Sequence, residues 1–312
     1  MTFKRLEIYV GWTCNQRCTY CMEYRNMEEV WHKKVSKYDI LKTLIKYKKL
    51  GYNHVTYLGG EPFIQKVFLD ALKIGKKLGY TILVATNCTT LHIDNQSKDT
   101  LQYIDELLLS VQAISIKEQQ IISRTTNYVN WDVVFENIEK YWKGSFLKTN
   151  IVITQDNKNK IFEIVEFLNK KGVKNISVTY PDIEMEYYGK EHTLNKIAPK
   201  YTECMQKILP IIKLCKYHNI NLKLPDFPFC VFPLDNIGEY LKLTDDYDFE
   251  TRLKIIHTGE ELDRGDLKDV DSLPRERSHC YKCKGCKYVS NCWGPSKIYN
   301  ELYGLDEINF IK

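Results

Sequence analysis

Over roughly the first 180 residues, short apolar runs alternate with longer segments whose apolar residues recur at helical spacing. Leu6–Val10 alternates Leu, Ile and Val with Glu and Tyr, the period of a half-buried strand. Residues 36–50 predict a helix. Ser36 can cap it, Asp39 holds the capping-box position, and Gly51 supplies a left-handed stop. Val55–Leu58 predicts a second strand. Residues 64–78 carry Val67, Phe68, Ala71, Leu72 and Leu78 on one stripe and stop at Gly79. Thr81–Ala85 predicts a third strand, 98–105 a short helix, and Leu107–Val111 a fourth strand. Residues 131–142 form a helical stripe through Val134, Ile138 and Tyr141. Thr149–Thr154 predicts a fifth strand, 160–171 a helix ended by Gly172, and Ile176–Thr179 a sixth strand.

Six strand–helix units in succession predict parallel strands joined by right-handed crossovers. They are too few to close an eight-fold barrel, so an open, partial (β/α)6 barrel of the α/β class is expected. The pattern changes after residue 182. A helix over 196–217 contains Pro210, which predicts a kink. Ile220–Leu224 reads as a short strand. Pro225–Cys230, a polar acidic stretch over 241–272 and a Cys-rich segment follow. The expected organisation is a partial barrel over 1–182 and a smaller, Cys-rich domain over 183–312.

The chain has 312 residues, 44% of them hydrophobic and 27% charged, which is globular composition with room for a domain and a half. No apolar run reaches the ~18 residues of a membrane span. The chain enters strand one without an apolar signal stretch, so a cytoplasmic location is expected. Thiols stay reduced there, and the 11 cysteines then point to metal ligands or packed thiols rather than disulfides. Net charge is +5, but the lysines are scattered near predicted helix C-termini, where they complement helix dipoles. They read as solvated faces rather than a nucleic-acid track.

Chemistry enters with Cys14, Cys18 and Cys21, spaced C-x3-C-x2-C after strand one. Cluster iron is usually held by four Cys thiolates, so three leave one iron open to a ligand. Gly59-Gly60-Glu61-Pro62 follows strand two on the same rim, where parallel α/β folds gather ligands. Two glycines allow close backbone approach and Pro62 stiffens the exit.

The Cys spacing, the aromatic Tyr20 before the third Cys, and Gly59–Pro62 together resemble the radical S-adenosylmethionine (SAM) superfamily. The resemblance implies a partial barrel holding a [4Fe–4S] cluster at Cys14, Cys18 and Cys21, with SAM chelating the open iron. It implies reductive cleavage of SAM to a 5′-deoxyadenosyl radical that abstracts a substrate hydrogen atom. The reductant would be a flavodoxin or ferredoxin. Glu61 and its neighbours would meet the SAM amine. Asn87, Ser110, Arg124 and Asn150 are further SAM-contact candidates, Arg124 for the carboxylate. Cys88 stands where relatives often have Gly, as a packed thiol or one near substrate.

Cys280, Cys283, Cys286 and Cys292 fall within 13 residues and read as metal ligands, for iron–sulfur or zinc. The segment Cys283–Cys292 resembles the auxiliary-cluster region of SPASM and twitch domains, the shorter twitch form being the better fit. That resemblance implies an auxiliary [4Fe–4S] cluster completed by an upstream Cys. Cys230 is the candidate, with Cys280 the spare. Cys204 and Cys215 read as packed thiols.

Relatives of this kind oxidise or crosslink ribosomally made peptides; others dehydrogenate sugars or aminocyclitols. The peptide reading is expected here. A separate protein would deliver the leader, because no peptide-recognition segment precedes strand one. A non-catalytic metal-binding regulator is the third reading. Tyr180, Asp182, Glu184, Glu186 and Tyr187 form a polar-aromatic segment that either faces substrate or is an exposed loop.

Overall fold

The structure, a computed structural model, describes residues 4–21, 34–181, 194–233, 237–244, 252–257, 279–290, 292, 294–308 and 311. Its strands are β1 (Lys4–Tyr9), β2 (His54–Leu58), β3 (Thr81–Thr86), β4 (Glu106–Ser110), β5 (Phe146–Val152), β6 (Asn175–Thr179), β7 (Asn221–Lys223) and β8 (Arg252–His257). Its α-helices are α1 (Lys37–Lys49), α2 (Phe68–Lys77), α3 (Asp94–Leu101), α4 (Ile116–Ser123), α5 (Trp131–Tyr141), α6 (Ile161–Lys170), α7 (Tyr201–Tyr217), α8 (Ile237–Thr244) and α9 (Lys297–Tyr303).

The chain divides into two compact units. The first comprises Met1–Cys18, Glu23–Thr149 and Tyr247–Leu273; the second comprises Thr19–Met22, Asn150–Asp246 and Pro274–Lys312. In the first unit β1 to β4 lie side by side in chain order, all parallel, and β8 pairs in parallel with the free side of β1. This is the mostly parallel α/β arrangement that the alternating pattern predicts. Leu6, Val55, Ile82, Val84, Leu107 and Leu109 are fully buried on these strands. Each such side chain contributes about 1.5–3 kcal/mol of hydrophobic stabilisation. Ser36 caps α1 with the reciprocal Ser36–Asp39 capping box that the sequence announces.

In the second unit β6 pairs in parallel with β7. Helix α7 runs through Pro210 as one helix. Its first residue, Tyr201, stacks on Tyr299 of α9 with ring centroids 4.0 Å apart. The Tyr299 hydroxyl accepts from the Tyr201 backbone N–H at 3.0 Å and donates to Glu307. Tyr180 and Phe227 complete the aromatic cluster.

Local chemistry shifts several expected elements. The helix expected at 98–105 begins at Asp94; the Ser97 hydroxyl donates to Leu91 O at 2.7 Å and fixes that earlier start. The strand expected to run to Thr154 stops at Val152. Asn157 ends it: its Oδ1 accepts from Thr154 N at 2.7 Å and its Nδ2 donates to Val152 O at 2.9 Å. Helix α4, capped by Ser115, carries exposed Ile116 and Ile121 and therefore lacks a clean apolar stripe. The stretch 241–272, read only as polar and acidic, contains the end of α8 and all of β8. Tyr180 is buried at 1% exposure, a packing residue rather than part of an exposed loop. Asp182, Glu184, Glu186 and Tyr187 lie outside the described residues, as do 245–251 and 258–272.

Candidate active site

The loop after β1 and the loop after β2 are held backbone to backbone. Gly60 N donates to Gly11 O at 3.0 Å, and Glu61 N donates to Thr13 O at 3.0 Å. A Cβ on Gly60 would sit 2.3 Å from Thr13 O and 2.5 Å from Trp12 O. Gly59 has a positive φ of 133°, and a Cβ there would meet Gly11 O at 2.2 Å. The close approach that the two glycines permit is thus made to the Cys-bearing loop itself. Pro62 opens a one-turn 3-10 helix, Pro62–Ile64, for which Glu61 is the N-cap.

Glu61 is buried at 1% exposure, and its carboxylate accepts three hydrogen bonds. Oε1 accepts from Phe63 N at 3.1 Å and from the Thr86 hydroxyl at 2.8 Å; Oε2 accepts from Asn87 N at 2.7 Å. Burial pushes the carboxyl up to about 7, against the pull of those hydrogen bonds. The side chain expected to receive an ammonium group also ties the β2 loop to the end of β3.

Asn87, just past β3, faces the first cysteine. Its Nδ2 lies 3.8 Å from Cys14 Sγ and donates to Asn15 Oδ1 at 3.0 Å. Gln16 N also donates to Cys14 Sγ, at 3.4 Å, and the Cys18 thiol donates to Gln16 Oε1. Burial raises the Cys14 thiol above its ordinary range. Arg17 clasps this loop: its guanidinium donates to Cys14 O and Gln16 O, and its backbone N–H donates to Ser123 O at 2.8 Å. Cys88 is fully buried with φ +66°, the left-handed backbone that a Gly usually takes.

The remaining candidates are more dispersed. Ser110 ends β4, half-buried. Arg124 ends α4, exposed and left-handed at φ +51°. In the second unit Asn150 accepts from the Thr179 hydroxyl at 2.6 Å. Asn15, Gln16, Arg17, Thr86 and Thr89 were not among the sequence candidates. The available signal was the run of amide and guanidinium side chains between Cys14 and Cys18.

The second unit carries a small, partly enclosed pocket. Cys230, Cys283, Cys286 and Cys292 all line it, between apolar walls that include Phe229, Val289 and Ile308. Phe229 N and Gly294 N each point to Cys292 Sγ, at 3.5 and 3.4 Å. Burial, then the neighbouring Cys292 and Cys283, pushes the Cys230 thiol up to about 12. Cys280 is not among the lining residues; its Sγ lies 3.5 Å from Cys283 Sγ. Cys204 and Cys215 are buried on α7, as packed thiols.

All these cysteines are free, and those of both motifs are half-buried. Among the described residues no three His, Cys, Asp or Glu side chains are already drawn in around a single metal-ion position. Thiol-only donor sets with backbone N–H groups aimed at sulfur fit iron–sulfur ligation. No described helix is long and apolar enough to cross a membrane.

Comparison with known proteins gives one consistent family. The profile of the Radical SAM superfamily matches residues 8–197, more than half of the chain. An S-adenosylmethionine-dependent nucleotide dehydratase of Flammeovirga pacifica is 29% identical over 169 residues, 50% of this chain and 55% of that protein. The chain thus spans about half of that relative's length. A probable GTP 3',8-cyclase of Saccharolobus solfataricus is 27% identical over 239 residues, 76% of this chain and 73% of that protein. Among solved structures, Streptococcus suis SuiB bound to precursor peptide SuiA shares the fold with a TM-score of 0.65 at 18% identity, over 100% of this chain and 76% of that one. Native anSMEcpe with bound AdoMet gives a TM-score of 0.65 at 14% identity, over 98% and 93%. On this match over most of its length, the chain belongs to the radical SAM superfamily.

Proposed function

We propose that this enzyme oxidises a ribosomally made peptide, with Cys14, Cys18 and Cys21 holding the SAM-binding [4Fe–4S] cluster. An auxiliary cluster would be held by Cys230, Cys283, Cys286 and Cys292 in a twitch-like domain. The observation that carries the oxidative reading is the convergence of those last four thiols on one pocket. When bound, SAM with its reduced cluster supplies hydrogen-atom abstraction, and an auxiliary cluster supplies a sink for one electron. The chain's own residues hold the geometry. Gly59, Gly60 and Glu61 fix the β2 loop against the Cys14 loop, Pro62 stiffens its exit, and Arg17 pins the Cys14 loop to Ser123. Arg124, exposed at the end of α4, is the candidate for the SAM carboxylate. Ser110 and Asn150 are weaker SAM-contact candidates.

The peptide class is favoured by the fold shared along the whole chain with SuiB, whose structure contains a precursor peptide. A leader-binding partner and a flavodoxin or ferredoxin reductant complete this reading. A second reading, a nucleotide substrate, is favoured by the sequence similarity to the nucleotide dehydratase and the GTP cyclase. Both are tested with anaerobically reconstituted enzyme, SAM and reductant. Short peptides encoded beside the gene and nucleoside triphosphates are supplied in turn, and products are read by mass spectrometry. Peptide lighter by two hydrogens supports the first reading. Altered nucleotide with untouched peptide replaces it with the second.

A further inference from the structure

Asn87 is held by a closed ring of side-chain hydrogen bonds. Its Oδ1 accepts from the Thr89 hydroxyl at 2.6 Å and from Thr89 N at 3.0 Å. Asn15 Nδ2 donates to the Thr89 hydroxyl at 2.7 Å, and Asn87 Nδ2 donates back to Asn15 Oδ1 at 3.0 Å. The ring sets the amide's orientation. Turned over, Asn87 would place its NH2 against the Thr89 N–H and its oxygen against Asn15 Oδ1. Two anchors hold the ring from outside: Glu61 accepts from Asn87 N at 2.7 Å, and Asn127 Nδ2 donates to Asn15 O at 2.6 Å. The result is an NH2 group whose nitrogen sits 3.8 Å from Cys14 Sγ, beside the Gln16 N–H at 3.4 Å.

We infer that Asn87 is a positioning residue which, through the Asn15–Thr89–Asn87 ring, aims an N–H at the Cys14 sulfur and raises the reduction potential of the cluster held there. The inference rests on the reading that Cys14, Cys18 and Cys21 bind a cluster. Reduction puts negative charge on the cluster and its sulfurs, and an N–H aimed at sulfur stabilises that charge. The bond therefore favours the reduced form. The Thr89 hydroxyl acts one bond further out, by holding the amide.

The test compares wild-type protein with Asn87→Leu, Thr89→Val and Thr89→Ser. Each is reconstituted anaerobically with iron and sulfide, and the midpoint potential of the SAM-responsive cluster is followed by electron paramagnetic resonance. Asn87→Leu should keep its iron and titrate at a more negative potential. Thr89→Val should shift the same way by less, and Thr89→Ser, which keeps the hydroxyl, should match wild type. An unchanged potential in iron-loaded Asn87→Leu overturns the inference and leaves the cluster reading intact. If Asn87→Leu does not load, equal potentials for Thr89→Val and Thr89→Ser overturn it. A wild-type chain that takes up no cluster at Cys14, Cys18 and Cys21 overturns both.

Discussion

The Glu61 carboxylate accepts a hydrogen bond from the Asn87 backbone N–H at 2.7 Å, joining the loops that follow β2 and β3. With the bonds from Thr86 and Phe63, this buried group accepts three hydrogen bonds from within the protein. Glu61 thus has a structural effect besides any contact with SAM. Glu61→Ala strands three donors, and each buried unpaired group costs about 1–3 kcal/mol. The variant should melt well below wild type.

The same group makes stability depend on pH. Its folded pKa, about 7, lies above the ordinary 4.5, so the folded chain binds this proton more tightly than the unfolded one. That contribution is complete below 4.5 and is lost as pH rises through about 7. The loss is on the order of 3 kcal/mol. Denaturant melts of wild type against Glu61→Gln should show wild type losing relative stability across this window. Parallel curves would mean that Glu61 is ionised throughout.

Arg124 separates binding from stability. Its left-handed backbone favours Gly by about 1 kcal/mol. Arg124→Gly should therefore melt slightly higher than wild type. If its guanidinium meets the SAM carboxylate, the same variant should bind SAM more weakly by about 1.5–3 kcal/mol. Calorimetric titration of SAM into both proteins reads this, and equal affinities would remove Arg124 from the SAM site.

The auxiliary pocket makes a prediction about single thiols. Cys230 lines it together with Cys283, Cys286 and Cys292, while Cys280 does not. Two [4Fe–4S] clusters correspond to about eight irons per chain. Cys230→Ala should lose about half of them and Cys280→Ala should keep all. The reverse would make residues 280–292 a self-contained four-Cys module. Zinc in the pocket would end its redox role.

What the sequence revealed depended on range. The Ser36–Asp39 box and the Gly51 stop are local, and they stand as read. The parallel strand succession followed from periodicity alone. The strand end at Val152 was missed because a single side chain, Asn157, decides it. Strand β8 lay hidden in a charged stretch, and only its pairing with β1 identifies it. The direction of the Glu61 side chain was not legible, since its partners Thr86 and Asn87 lie 25 and 26 residues away in sequence. The Cys14–Cys18–Cys21 spacing and Gly59–Pro62 were enough for the family, because both motifs are contiguous.

The most direct measurement is the release of 5′-deoxyadenosine and methionine from SAM by the anaerobically reconstituted, reduced protein. Wild type should form both, and the variant with Cys14, Cys18 and Cys21 all changed to Ala should form neither while keeping about four of its eight irons. Absence of SAM cleavage by fully loaded wild type, or equal cleavage by the triple variant, would contradict the account.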